Sequence, residues 1–153
     1  LQGIRAFLPT KMRMNVVRCP GDFIILDDAY NANPQSMRAA AAVLGDAHER
    51  RKVAVLGDMK ELGANSQLFH RMVGGYFAQA GVDRLIAIGD LARCIADGAI
   101  EAGLEQASWY PDFSQAEDAL LREVRSGVTI LVKASRAMEF ERVVAFLKAQ
   151  AEK

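Results

Sequence analysis

Four short, uninterrupted apolar runs constrain the fold more than any other feature of this sequence. They are FIIL at residues 23–26, VAVL at 53–56, LIAI at 85–88 and VTILV at 128–132. A strand with one face in water alternates apolar and polar residues, whereas a continuous apolar strand is typical of a parallel sheet covered on both faces. Segments of helical pattern separate the runs, so the sequence predicts a doubly wound α/β fold.

Two weaker strands complete the predicted sheet. RMNVVR at residues 13–18 and ASWY at 107–110 raise the total to about six strands. The turn Pro20–Gly21–Asp22 follows the first of them closely, so we expect an antiparallel pair at one edge of a mostly parallel sheet.

Capping residues indicate where several helices begin. Asn33 precedes Pro34, which suits the first position of a helix. Ser114 and Glu117 have the spacing of a capping box, which predicts a helix that begins with them. The last helix is predicted from about residue 136 to 149.

Composition excludes several classes of protein. A chain of 153 residues with 19 basic and 19 acidic side chains fits one globular domain and argues against nucleic-acid binding by bulk charge. The apolar runs are too short to span a bilayer, and the first residues lack the order of a signal peptide. Cys19 and Cys94 lack CxxC spacing, as expected in a reducing cytoplasm.

Polar clusters follow the predicted strands at their carboxyl ends. They are DDAYNANPQSM at 27–37, GDMKELG at 57–63, Gly89–Asp90, and KASR at 133–136. Ligands of open α/β sheets bind at this edge, so the site is expected there.

Several common sites are absent from the sequence. It has no G-x-x-x-x-G-K-[ST], no G-x-G-x-x-G and no G-x-S-x-G motif. His48 and His70 lack metal-ligand spacing, and a packing or hydrogen-bonding role is expected for His70.

The acids and the lysine of these clusters allow three interpretations. A phosphoacceptor receiver domain would use such acids for Mg²⁺ and the lysine for a phosphoryl group. Half of a nucleotide-dependent ligase site would close these loops over ATP bound elsewhere. Alternatively, the acids are only turn residues and helix caps. The residues concerned are Asp27, Asp28, Asp58 and Lys133.

The motifs together resemble the bacterial cell-wall Mur ligases, and most nearly their dipeptide-adding branch. The resemblance rests on DDAYNANPQSM, GDMKELG, His70 in its 66–74 context, GVDRLIAIG at 81–89 and LVKASRAMEFERVV at 131–144. It covers residues 7–147, and a receiver domain would predict neither YNANP nor GDMxELG.

The resemblance implies a Rossmann-like domain of a larger enzyme. Residues 13–153 would form the C-terminal domain, and residues 1–12 a linker from a missing central ATPase domain that carries the P-loop. The chain departs from the family at Met12 and Ala134, where glycine is usual. Isolated, the domain is expected to be inactive.

The implied reaction is the ATP-dependent ligation of D-alanyl-D-alanine to UDP-MurNAc-tripeptide in peptidoglycan synthesis. The expected cofactors are ATP and Mg²⁺, bound mainly by the central domain. The expected partners are the two substrates and the enzyme's own N-terminal and central domains, with no nucleic acid and no membrane insertion, in the bacterial cytoplasm. A non-catalytic phosphate- or nucleotide-binding module, or a Mur ligase of other amino-acid specificity, is the alternative.

The resemblance also implies two groups of site residues, while no residue is assigned as catalytic or as a metal ligand. The ATP-binding group is Arg13, Asp28, Tyr30 and Asn31. The group for the dipeptide is Lys133, Ser135, Arg136 and Asp58, of which Arg136 would anchor the free carboxylate with help from Lys133 and Ser135. A strand end followed by a helix start would supply free N–H groups for the same anion.

Overall fold

The computed structural model describes residues 14–153, and this part forms one α/β sheet structure. The strands are β1 (Asn15–Cys19), β2 (Phe23–Asp28), β3 (Arg51–Gly57), β4 (Arg84–Ile88), β5 (Ala107–Tyr110) and β6 (Val128–Lys133). The helices are α1 (Pro34–Gly45), α2 (Ser66–Gln79), α3 (Ala92–Glu101), α4 (Phe113–Arg122) and α5 (Glu141–Ala151). Short 3-10 turns span Gly63–Asn65 and Arg136–Met138. Arg13 and the predicted linker at residues 1–12 lie outside the described residues.

The sheet confirms the predicted architecture. Its strand order is β1-β2-β6-β3-β4-β5, and every described pair is parallel except β1 with β2. In that antiparallel edge pair Cys19 lies opposite Phe23, so the turn between them is tight. The first strand begins two residues later than predicted. The last strand, β6, lies between β2 and β3, which brings their carboxyl ends together.

Alternate residues of the central strands enter two separate cores, one on each face of the sheet. On one face, Leu26 and Leu56 pack with residues of α1, α2 and α3. On the other face, Ile25 and Val55 pack with residues of α4 and α5. These strands are therefore apolar on both sides, which is the physical reason for the continuous runs in the sequence.

One of the two predicted helix starts is confirmed, and the other is wrong. The Asn33 side chain accepts from the Ser36 N–H at 2.8 Å, ahead of Pro34 at the first helical position. The Ser114–Glu117 capping box does not form, because Asp112 caps α4 by accepting from the Gln115 N–H at 2.9 Å.

The predicted last helix is also corrected at its start. Residues 136–138 form a 3-10 turn, and Glu139 then adopts a left-handed backbone with φ of 53°. That conformation interrupts any continuous helix, so α5 begins only at Glu141. Among the described residues, every helix is too short or too polar to cross a membrane.

Candidate functional site

The loops that follow β2, β6, β3 and β4 lie side by side at the carboxyl edge of the sheet. We call these loops the rim, and they comprise residues 29–33, 134–140, 58–62 and 89–91. Their adjacency follows from the strand order, since β2, β6, β3 and β4 are consecutive neighbours in the sheet, about 4.8 Å apart from one strand to the next. The rim thus gathers the four polar clusters that the sequence places after its strands.

A buried ion pair joins the ends of β2 and β6. Lys133 Nζ lies 2.6 Å from Asp28 Oδ2 and donates to the Asn31 carbonyl oxygen at 3.0 Å. The two paired residues are only 2% and 4% exposed. Burial raises the pKa of Asp28 above its ordinary value, and the charge and hydrogen bond of Lys133 oppose that rise. A residue predicted for ATP and one predicted for the dipeptide are therefore in direct contact.

Asp58 links the end of β3 to the start of α3. Its Oδ1 accepts from the Ala92 N–H at 2.7 Å, and its Oδ2 lies 3.3 Å from Lys60 Nζ. Although Asp58 is buried, its charge is satisfied by a helix N-terminus and by a lysine. The sequence left open whether this acid is a helix cap, and its bond from the Ala92 N–H at the start of α3 agrees with that interpretation.

Ser135 ties the loop after β6 to the loop after β3. Its hydroxyl accepts from the Lys60 N–H at 2.7 Å, and its N–H donates to the Asp58 carbonyl at 3.0 Å. A 3-10 turn begins directly after Ser135, while α5 starts only six residues later. The helix start predicted here is therefore a 3-10 turn, and its contribution to an anion site stays a prediction.

Tyr30 and Arg136 meet at the exposed surface of the rim. The Arg136 guanidinium carbon lies 5.2 Å from the centroid of the Tyr30 ring, which is a cation–π contact. Tyr30 is 45% exposed, and Arg136 and Asn31 are also exposed. The other predicted site residues that the structure describes are buried.

Ala134 occupies its position without backbone strain, although the family usually has glycine there. Its φ is not positive, and the methyl group is buried. Space for it comes from Gly57, where an added Cβ would lie 2.7 Å from the Ala134 Cβ and 2.6 Å from the Phe140 ring. Met12, the second departure, lies outside the described residues.

His70 has a structural contact with the rim that the sequence did not identify. It is fully buried, and its Nε2 accepts from the Met59 N–H at 2.9 Å. The predicted hydrogen-bonding role is confirmed, but its partner is eleven residues away in another element. Only the fold pairs them, so no sequence pattern could have named Met59.

Seven of the eight predicted site residues lie in or beside the rim, and Arg13 lies outside the described residues. Those near the ends of β2 and β6 are Asp28, Tyr30, Asn31, Lys133, Ser135 and Arg136, while Asp58 follows β3. Within residues 14–153, no group of three or more His, Cys, Asp or Glu side chains could hold a metal ion. The roles of all eight residues stay predictions.

Comparison with known proteins gives consistent relatives. The family described as "Mur ligase, glutamate ligase domain" matches residues 12–136. The UDP-N-acetylmuramoyl-tripeptide–D-alanyl-D-alanine ligase of Bacillus subtilis (strain 168) is 33% identical over 145 residues, covering 94% of this chain and 32% of the relative. That of Escherichia coli (strain K12) is 39% identical over 127 residues, covering 82% and 27%. The chain thus spans about a third of the length of these relatives.

Solved structures agree with the sequence relatives. A crystal structure of MurF from Acinetobacter baumannii has a TM-score of 0.80 and 31% identity, covering 95% of this chain and 32% of that chain. The MurF ligase from Thermotoga maritima, in complex with ADP, has a TM-score of 0.77 and 29% identity, covering 96% and 33%. The family match spans most of the sheet and the rim loops described above, and it favours the ligase interpretation over the receiver-like one. This chain belongs to the Mur ligase family.

Proposed function

We propose that this chain is the C-terminal domain of the ATP-dependent ligase that adds D-alanyl-D-alanine to UDP-MurNAc-tripeptide. The names of its sequence relatives support this assignment, as does the ADP-bound structure among the structural relatives. Residues 1–12 would be the linker to a central domain that carries the phosphate cradle, since the relatives are about three times as long. The proposed location is the bacterial cytoplasm, where both substrates would be available.

In the proposed reaction, the tripeptide carboxylate attacks the γ-phosphorus of ATP and ADP leaves. The amine of the dipeptide then attacks the acyl carbon, the tetrahedral intermediate expels phosphate, and the nitrogen loses a proton. Bound Mg²⁺ would neutralise charge on the transferred phosphoryl group. Closure of the rim over the other domains would exclude water from the acyl phosphate.

The loop after β2 would form the nucleotide side of the site. Its residues fit a nucleoside, because Tyr30 presents an exposed ring and Asp28 a carboxylate that can accept from ribose hydroxyls. Asn31 is exposed beside them, and Arg13 would pair with phosphate. Lys133 contacts this loop directly, so we propose that it holds Asp28 and Asn31 in place.

The loop after β6 would form the dipeptide side. Arg136 is the exposed cation here, and its guanidinium can bind a carboxylate through two parallel hydrogen bonds. The buried Ser135 and Lys133 would support Arg136 by fixing the backbone on either side of Ala134. Asp58 would act through Ser135 and Lys60, which it contacts.

One observation carries the proposal: residues proposed for the nucleotide contact residues proposed for the dipeptide. Lys133 pairs with Asp28 in the interior, and Arg136 stacks on Tyr30 at the surface. A ligase must hold its phosphorylated intermediate and its nucleophile within reach of each other. The rim supplies this proximity.

The decisive experiment is Arg136→Ala in the full-length ligase that contains this chain. Loss of a bidentate contact to carboxylate costs ~2–4 kcal/mol, which raises the KM for D-alanyl-D-alanine by about 30-fold or more. The matched control is Arg142→Ala, because Arg142 is also an exposed arginine that stacks on a ring, 5.6 Å from the Phe113 centroid. An unchanged dipeptide KM in R136A would remove Arg136 from the site.

Two further measurements test the nucleotide side and the division of labour between domains. Asp28→Asn should raise the KM for ATP, and an unaltered value would remove Asp28 from the nucleotide site. The pure 153-residue chain should not hydrolyse ATP, because its sequence lacks a P-loop. Detectable hydrolysis would overturn the proposal.

The alternative within the family is a Mur ligase that adds another amino acid. A panel of free amino acids and D-alanyl-D-alanine, offered to the full-length ligase with ATP, separates the two. Preferred ligation of a single amino acid would favour the alternative and contradict the dipeptide assignment.

A further inference from the structure

His70 is a buried imidazole placed between α2 and the loop after β3. Its Nδ1 lies 2.6 Å from the Ser66 carbonyl oxygen, and its Nε2 lies 2.9 Å from the Met59 nitrogen. The side chain has no exposed surface, and Met59 is equally buried. Both ring nitrogens are therefore used inside the protein rather than at the surface.

The two partners determine the tautomer of the ring. A carbonyl oxygen can only accept a hydrogen bond, so Nδ1 carries the proton and donates to Ser66. A backbone N–H can only donate, so Nε2 is unprotonated and accepts from Met59. His70 is thus a neutral imidazole with its proton on Nδ1. A proton added to Nε2, in the cation or in the other tautomer, would place its N–H against the N–H of Met59.

The Met59 contact is one of several that hold residues 58–62, which we call the β3 loop. The neighbouring Lys60 N–H donates to Ser135 Oγ at 2.7 Å, and the Asp58 carbonyl accepts from the Ser135 N–H at 3.0 Å. Asp58 Oδ1 in turn accepts from the Ala92 N–H at 2.7 Å. The β3 loop is therefore tied to α2 by His70, to the loop after β6 by Ser135, and to α3 by Asp58.

We propose that His70 is a positioning residue for the dipeptide side of the rim. By accepting from the Met59 N–H, His70 holds the β3 loop in position. The next residue of that loop, Lys60, donates its N–H to Ser135, which precedes Arg136. His70 itself has no exposed surface, so it would act through this chain of backbone contacts. The inference rests on the proposed function only for its kinetic consequence.

Burial favours the neutral form of His70. Burial lowers its pKa below the ordinary 6.5, and Lys60 also lowers it, while the Ser66 carbonyl and Asp58 raise it. A group whose pKa is lowered on folding stabilises the fold fully above the unfolded value, and this contribution is lost as the pH falls below 6.5. Acid should therefore loosen the β3 loop at Met59 by protonating Nε2.

Two substitutions separate the hydrogen bond from simple packing. His70→Gln keeps an oxygen that can accept from Met59, whereas His70→Leu keeps volume and removes the acceptor. The matched control is Phe77→Leu, because Phe77 is also fully buried in α2 but belongs to the apolar core. A loss of stability alone should affect the control and His70→Leu alike.

The first measurement uses the 153-residue chain and does not depend on enzymatic activity. Nitrogen NMR of the wild-type imidazole should report a protonated Nδ1 and a bare Nε2. Hydrogen exchange at the Met59 amide, taken relative to the Ile86 amide in β4, should be about 10-fold faster in His70→Leu and near wild type in His70→Gln and Phe77→Leu. The Met59 amide resonance should shift with a midpoint below pH 6.5 in wild type and stay constant in His70→Gln.

The second measurement uses the full-length ligase. His70→Leu should raise the dipeptide KM by about 10-fold or more with a smaller change in the ATP KM, and His70→Gln should restore most of it. A proton on Nε2, or equal Met59 exchange in His70→Leu and Phe77→Leu, would overturn the inference whatever the enzyme does. Equal dipeptide KM values in those two variants would also overturn it. A wild-type enzyme that does not ligate the dipeptide would instead refute the proposed function, and the NMR outcomes would be unaffected.

Discussion

Replacing Lys133 by methionine should destabilise this domain more than almost any other single loss of charge in the described chain. The ammonium is 2% exposed and lies 2.6 Å from Asp28 Oδ2, with a second bond to the Asn31 carbonyl. The substitution leaves the Asp28 carboxylate buried without its counter-ion. Removing one partner of a buried pair costs about 3–5 kcal/mol, which is a large part of the ~5–15 kcal/mol that typically stabilises a domain.

The companion substitutions determine whether the charge is responsible. Asp28→Asn keeps an acceptor for Lys133 and should cost less, about 1–3 kcal/mol. The double variant Asp28→Leu/Lys133→Met removes both charges, so it should be more stable than Lys133→Met alone. Lys60→Met is the matched control, because the Lys60 side chain is 44% exposed and 3.3 Å from Asp58, and the buried Asp58 keeps its bond from the Ala92 N–H. Loss of such a solvated partner should cost about 1 kcal/mol.

Urea unfolding of the 153-residue chain at pH 7, followed by circular dichroism, measures all four variants. In thermal unfolding, the Lys133→Met loss corresponds to a fall in Tm of roughly 6–20 °C for a chain of this size. The deficit should shrink as the pH falls toward 4, since burial then raises the pKa of Asp28 without opposition and protonation removes the unpaired charge. A cost near that of Lys60→Met, or a double variant no more stable than Lys133→Met, would refute the reasoning.

Two further predictions concern the packing and capping of helices, and calorimetry of the isolated chain checks both. Gly74→Ala should destabilise by about 1–3 kcal/mol, since its Cβ would lie 2.0 Å from the Ile95 carbonyl oxygen where α2 crosses α3. Its neighbour Gly75→Ala is the control, with nothing within 4 Å of the added Cβ, and should instead stabilise α2 by about 0.5–1 kcal/mol. Asn33→Ala should lower the Tm by removing the α1 cap, a loss of about 0.5–2 kcal/mol; an unchanged Tm would mean that the Ser36 N–H finds an equal partner in water.

Local patterns predicted the elements of this fold well, because each pattern reports the burial of its own segment. The continuous apolar runs become β2, β3, β4 and β6, each with residues in both cores. The helix starts were less predictable, since Ser114 and Asp112 are equally good caps and only the path of the chain decides between them. The predicted start of α5 was wrong for a similar reason, because the hydrophobic pattern does not indicate the left-handed backbone of Glu139.

The candidate site divides in the same way. Sequence motifs placed Asp28, Asp58, Lys133 and Arg136 at one edge of the sheet because polar residues follow buried strands. They did not predict which of these residues would contact each other. Lys133 was predicted to help Arg136 bind the dipeptide, and its ammonium forms an ion pair with Asp28 in the protein interior.

The sequence by itself determined the α/β alternation, the burial of the strands on both faces, the edge that carries the polar loops, and the family. All of these follow from residues close together along the chain or from motifs in order. Only the tertiary structure decided the strand order and the contacts it creates. β6 inserts between β2 and β3, and this insertion pairs Lys133 with Asp28 across 105 residues and Ser135 with Lys60 across 75. Such pairings depend on how whole layers pack, so no local period or spacing can encode them.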